Sequence, residues 1–133
     1  MSRSNTPMAR IPEIETGQDG EAAPVDLAYL SRFTLGDRDL EREVLELFCT
    51  QSVSYLEQLK AATSHKAWVE AAHSLKGSAR AVGAWRAARA AERVEALQND
   101  IPPELRTAQV GELEASLLEA ADFVARLADS KSS

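Results

Sequence analysis

The stretch Ala71-Ala72-His73-Ser74-Leu75-Lys76-Gly77-Ser78-Ala79-Arg80 decides how this chain reads. It forms the middle of a helical pattern running from about Lys66 to Val82. On a wheel of about 100° per residue, Trp68, Ala71, Leu75, Ala79 and Val82 share one apolar sector. His73 points roughly 150–160° away from the centre of that sector, and Lys76, Gly77 and Arg80 lie within about 60° of it. The pattern sets an imidazole on a solvent-facing stripe, with two cations beside it and a gap at position 77.

The gap is costly, since glycine inside a helix loses about 1 kcal/mol relative to alanine. Side chains on a helix lean toward its N-terminus, so a side chain at 77 would lean over His73. Gly77 therefore serves either access to His73 or close packing of a neighbouring helix. The wheel puts it on the open side, which favours access.

Outward from this helix the chain divides into further helical segments. Thr63-Ser64 can cap its start, and Gly83 is suited to a left-handed cap at its end. From Arg38 to about Ala62, Leu40, Val44, Leu47, Phe48, Tyr55 and Leu59 recur at helical spacing, with Leu45, Cys49 and Leu56 broadening the face. Asp37 is the expected N-cap there. Ala84 to about Gln98 is a further helix, through Ala87, Ala88, Ala91, Val94 and Leu97, whose small residues permit close packing. Asn99 to Pro103 is a loop, and Pro103 suits the first turn of a last helix, which Leu105, Leu113, Leu117, Ala120, Val124 and Leu127 carry to about Asp129. Ahead of these, Asp26 caps a short amphipathic segment with Leu27, Tyr29, Leu30 and Phe33. It is too short to stand alone, so it is expected to pack across the end of something larger. Short links force antiparallel neighbours. The expected fold is all-α: an up-down-up-down antiparallel four-helix bundle with a short extra N-terminal helix, over residues 24–130. Residues 1–23, with Pro7, Pro12, Gly17 and Gly20, sustain no helical period and read as a disordered tail.

Composition bounds the function. The 133 residues suffice for one domain with one modest core. Apolar residues make up 44% and charged residues 27%, ordinary for a soluble globular protein. A net charge of -6 leaves no basic surplus for a nucleic-acid backbone. The lone Cys49 rules out an internal disulfide and reads as a buried thiol in a reducing compartment. With no apolar run of membrane-spanning length and no signal region, the expected location is the cytoplasm.

No glycine-rich phosphate loop, HExxH or paired cysteine ligands occur, so no metal site is expected. His65 reads as a solvated helix-start residue, two turns from His73. Trp85 reads as packing or rim, with partner contact the rarer use. No serine or cysteine has an obvious base, which counts against a hydrolase. An exposed histidine used as a general base would want a carboxylate orienter and a pocket, and one face of a bundle is expected to offer neither. Neighbouring cations disfavour protonation of the imidazole and would stabilise a dianion placed on it. Covalent phosphorylation of His73 and a surface histidine with incidental neighbours both remain open on these grounds.

The run His73-Ser74-Leu75-Lys76-Gly77-Ser78-Ala79, followed by Val82-Gly83-Ala84, closely resembles the signature of histidine-containing phosphotransfer (HPt) domains, helical bundles that relay phosphoryl groups in two-component signalling. The likeness extends over roughly residues 25 to 129. It implies that His73 is the phosphoacceptor, that Lys76 contacts the phosphoryl group, and that Gly77 clears space for an incoming receiver domain. Arg80, Trp85 and Arg86 are candidates for receiver docking. Ala81 stands where the family often has a polar residue such as Asn, and Arg86, Arg89 and Arg93 make the next helix unusually basic; both departures bear on partner choice.

The implied protein is a monomeric, stand-alone phosphoryl carrier without kinase activity. It needs no cofactor, Mg2+ being expected on the receiver, and its partners would be response-regulator receiver domains and a hybrid sensor histidine kinase. Two rivals stay open. One is an adaptor that binds a receiver or kinase without accepting phosphate, against which the His73-Lys76-Gly77 set argues. The other is a histidine-kinase dimerisation domain, which usually places an acidic residue where Ser74 stands.

Overall fold

The computed structural model describes residues 23–132. The expected disordered tail at residues 1–23 falls almost wholly outside the described residues. Among the described residues five helices follow in order: α1 (Leu27–Thr34), α2 (Arg38–Ala61), α3 (His65–Val82), α4 (Trp85–Glu95) and α5 (Pro103–Ser132). No strand occurs among the described residues. No helix there is long and apolar enough to cross a membrane.

The helix starts follow the side chains that cap them. Asp26 accepts from Tyr29 N–H at 3.0 Å, Asp37 from Leu40 N–H at 3.1 Å and Ser64 from Ala67 N–H at 3.1 Å. Each bond satisfies an amide that the first helical turn leaves without a partner. The α3–α4 corner turns on Gly83, at φ +77°. A Cβ there would lie 3.0 Å from both Cβ and the carbonyl oxygen of Asp26. The close approach allows Asp26 N–H to donate to Gly83 O at 2.9 Å. In this way α1 is tied across the end of the bundle, as its shortness requires. Ser31 and Thr34 add bonds from α1 to the Glu41 carboxylate on α2, at 2.9 and 2.7 Å.

The core is built from one face of each long helix. Helix α3 buries Trp68, Ala71, Ala72, Leu75, Ala79 and Val82, the sector that the wheel selects plus Ala72. Helix α4 buries Ala87, Ala88, Ala90, Ala91 and Val94, and this row of small residues lets the two helices approach closely. Helix α5 contributes Leu113, Leu117, Ala120 and Val124. On α2 the expected apolar face splits in two. Leu45, Phe48, Ser52 and Leu59 are buried, whereas Leu40 and Leu47 are 41% and 56% exposed. The spacing of Leu40, Val44 and Leu47 is helical, but only Val44 packs against the core, and Leu47 lies along the groove between α2 and α3.

Ion pairs fix the helix directions. Arg86 and Arg93 on α4 meet Glu119 and Glu112 on α5, so these helices run antiparallel. Part of the arginine richness of α4 is therefore used inside the fold. At the other end, Trp68 donates to Val94 O at 2.9 Å, and the Arg106 guanidinium lies 4.4 Å from the centre of its ring. Arg106 also donates to Gln98 O at 3.1 Å, holding the loop that follows α4. That loop begins earlier than the periodicity suggests, since α4 stops at Glu95.

Two single-residue expectations change. His65 opens α3 half-buried and not solvated, with Nδ1 buried and without a hydrogen-bond partner. Cys49 is half-buried, and burial, with the Glu46 charge, pushes its thiol pKa up. The raised pKa lowers the share of reactive thiolate at neutral pH.

Candidate functional site

The α3 face opposite the core carries His73, Lys76, Gly77 and Arg80, brought onto one row by helical spacing. The His73 side chain is 68% exposed. Gly77 is exposed, and a Cβ built on it meets nothing within 4 Å. No neighbouring helix presses on position 77, so the glycine is not there for packing. The space beside the imidazole is open to solvent.

The residue that completes the site comes from α4. Glu95 Oε2 lies 3.1 Å from His73 Nδ1, and Glu95 Oε1 lies 2.7 Å from Lys76 Nζ. The expectation that this face has no carboxylate orienter is therefore corrected. Hydrogen bonding from Lys76 holds the Glu95 carboxyl below its ordinary pKa against the opposing effect of burial, and the bond to His73 adds to the lowering. Glu95 is accordingly ionised at neutral pH and can only accept hydrogen bonds. Nδ1 of His73 must then be the donor. In the neutral imidazole this leaves the lone pair on Nε2, the nitrogen turned away from Glu95.

Lys76 is not the bare cation that the sequence suggests. Its side chain is only 16% exposed, and its charge is offset by Glu95. Arg80, two turns beyond His73, faces Glu92 at 3.7 Å. Each cation of the α3 row is thus answered by a carboxylate on α4.

Trp85 and Arg86 do not belong to this cluster. They open α4, ten and nine residues before Glu95, or about 15 Å along the helix. The Trp85 indole donates to Asp26 at 3.0 Å and meets Tyr29 edge-on at 4.8 Å between ring centres. Arg86 reaches Glu119 at 2.8 Å. On the other side of the His73 row, Leu47, Tyr55, Ser74, Ser78 and Ala81 line a shallow groove between α2 and α3.

Glu95 is the functional-site residue that motif reading misses, because it lies outside the motif and on another helix. A signal for it does exist. Folding the chain back at Gly83-Ala84 sets position 95 level with position 73.

A family model described as the Hpt domain matches residues 43–129, which covers all of α3 and α4, most of α2 and most of α5. Helix α1 lies outside the match. No curated protein and no solved structure matches the chain.

Proposed function

We propose, from the premise that this chain belongs to the Hpt domain family, that it carries a phosphoryl group on Nε2 of His73, taken from a receiver-domain aspartate and passed to another receiver. Hpt domains are phosphocarriers of phosphorelays and not catalysts in their own right. The observation that carries the assignment to His73 is the bond from its Nδ1 to an ionised Glu95, on an open face.

The chemistry follows from that bond. The Nε2 lone pair attacks phosphorus of the acyl phosphate. The N–P bond forms as the bond to the aspartyl oxygen breaks, and that electron pair leaves on the carboxylate. The imidazole ring then bears phosphorus on Nε2 and a proton on Nδ1, so it is formally cationic. Glu95 stabilises that charge as it develops. Lys76, one turn from His73, is placed to swing from Glu95 to the phosphoryl oxygens. The open space at Gly77 admits the receiver, and the α2–α3 groove gives it an adjoining apolar surface. Magnesium would be the receiver's own, and a monomer working in the cytoplasm is sufficient for the role.

The test is incubation with a panel of receiver domains phosphorylated by acetyl phosphate. We expect acid-labile, alkali-stable label on the wild type and on His65→Gln, and none on His73→Gln with helicity unchanged. Label that persists on His73→Gln overturns the assignment. Receiver binding without any label supports the adaptor instead.

A further inference from the structure

We propose that Glu92 sets how tightly a phosphorylated receiver docks, by holding the Arg80 guanidinium until the partner displaces it. The inference rests on the reading of His73 as the acceptor. It starts from a contrast between the two ion pairs that join α3 to α4. Lys76 and Glu95 meet at 2.7 Å, with side chains 16% and 21% exposed. Arg80 and Glu92 meet at 3.7 Å, with side chains 53% and 58% exposed. An ion pair so long and so wet contributes little to fold stability. The α3–α4 contact is secured by the alanine rows and the Trp68 bond to Val94. The outer pair can therefore be exchanged without cost to the bundle.

Its position gives the exchange a use. Arg80 lies about 10 Å along the helix from His73 on the same face. Any donor that places a phosphoryl group on His73 brings a dianion to this face, together with the carboxylates around its own phosphorylated aspartate. An uncompensated arginine here would attract that surface strongly. With Glu92 beside it, the charge is offset in the free protein, and docking replaces one carboxylate partner by another. Glu92 itself repels the approaching acidic surface. Affinity is lowered and release is quickened, which suits a carrier that must leave its donor before meeting its acceptor. The same carboxylate discriminates among partners, since only a surface that competes well for Arg80 recovers what is lost.

The experiment uses the full chain and the receiver that loads His73 fastest in the acetyl phosphate panel. Rapid-quench transfer is measured across receiver concentrations at low and high salt, for wild type, Glu92→Gln, Arg80→Ala and the double variant. Glu92→Gln should lower the KM for the receiver about three- to fivefold at low salt, as loss of an exposed pair allows. The maximal rate and the thermal midpoint should not move. The gain should vanish at high salt, and in the Arg80→Ala background it should shrink to the part that comes from lost repulsion alone. An unchanged KM, or a gain that persists undiminished without Arg80, overturns the proposal. If no receiver labels His73 at all, the acceptor reading falls and this inference with it, whereas labelling with an unchanged KM removes only the role of Glu92.

Discussion

Glu95 Oε2 accepts from Nδ1 of His73 across 3.1 Å, although the two residues stand 22 positions apart in the chain. In the transfer proposed above, the bond would make the carboxylate a positioning residue, fixing which imidazole nitrogen attacks and offsetting the charge placed on the ring. Hydrogen bonds to charged groups are worth about 1.5–3 kcal/mol, so Glu95→Ala should slow transfer about ten- to hundredfold. Glu95→Gln keeps an acceptor for Nδ1 but not the charge, so its loss should be smaller. The receiver KM should change little for either, because the Glu95 side chain is only 21% exposed. Single-turnover transfer measured across receiver concentrations separates the two parameters.

The same carboxylate should leave a mark on stability against pH. Its pKa is lowered on folding, first by the hydrogen bond from Lys76. A group whose pKa falls on folding binds its proton more readily in the unfolded chain. The stability it contributes is therefore fully present above the unfolded value near 4.5 and is lost as pH falls through the folded value. Urea unfolding of wild type and Glu95→Gln should show a constant gap from neutral pH down to that value, and the gap should close below it. A gap that instead widened on acidification would contradict the assigned direction.

Much of this architecture is legible in the residues themselves, for local reasons. Asp26, Asp37 and Ser64 cap the amides three positions on, and such bonds depend on few neighbours. The α3 core face follows from spacing alone. What the sequence hides is tertiary. Leu40 and Leu47 carry the same helical period as the core leucines, and they stay exposed once the helices pack. Glu95, Glu92, Glu112 and Glu119 all look like solvated surface residues until the helices are set side by side, when each finds a cation, and Glu95 the imidazole as well. Leu35 gives no warning either: it ends α1 in the left-handed region at φ 57°, beside Gly36 at φ 80°.

Gly77 and Gly83 should respond oppositely to the same substitution. At Gly77 the added methyl meets nothing within 4 Å, and alanine is the better helix former by about 1 kcal/mol. Gly77→Ala should therefore raise stability, while transfer should slow, because the methyl enters the space through which the receiver is proposed to reach His73. Gly77→Leu should slow it further. At Gly83, φ +77° alone costs an L-residue about 1–2 kcal/mol, and contacts of 3.0 Å with Asp26 add to that. Gly83→Ala should lower the unfolding midpoint in urea and loosen α1. A Gly77→Ala variant that unfolds would show that the glycine is needed for packing after all.

Lys76 has two separable tasks, and a double-mutant cycle tells them apart. In the free protein its ammonium lies 2.7 Å from Glu95 and holds that carboxylate ionised beside His73. During transfer it is proposed to meet the phosphoryl oxygens directly. Lys76→Ala should slow the chemical step with little change in the receiver KM, because its side chain is only 16% exposed. Arg80→Ala, at a side chain 53% exposed, should instead raise KM in a salt-dependent way. The cycle pairs Lys76→Ala with Glu95→Gln. If Lys76 served only to hold Glu95, the double variant would transfer no more slowly than Glu95→Gln alone. If Lys76 also offsets charge on the phosphoryl group, the two losses should nearly multiply. Rapid-quench measurement at saturating phosphorylated receiver distinguishes these outcomes. A Lys76→Ala variant that loses only affinity, with an unaltered maximal rate, would reduce the α3 row to a docking surface and remove Lys76 from the chemistry.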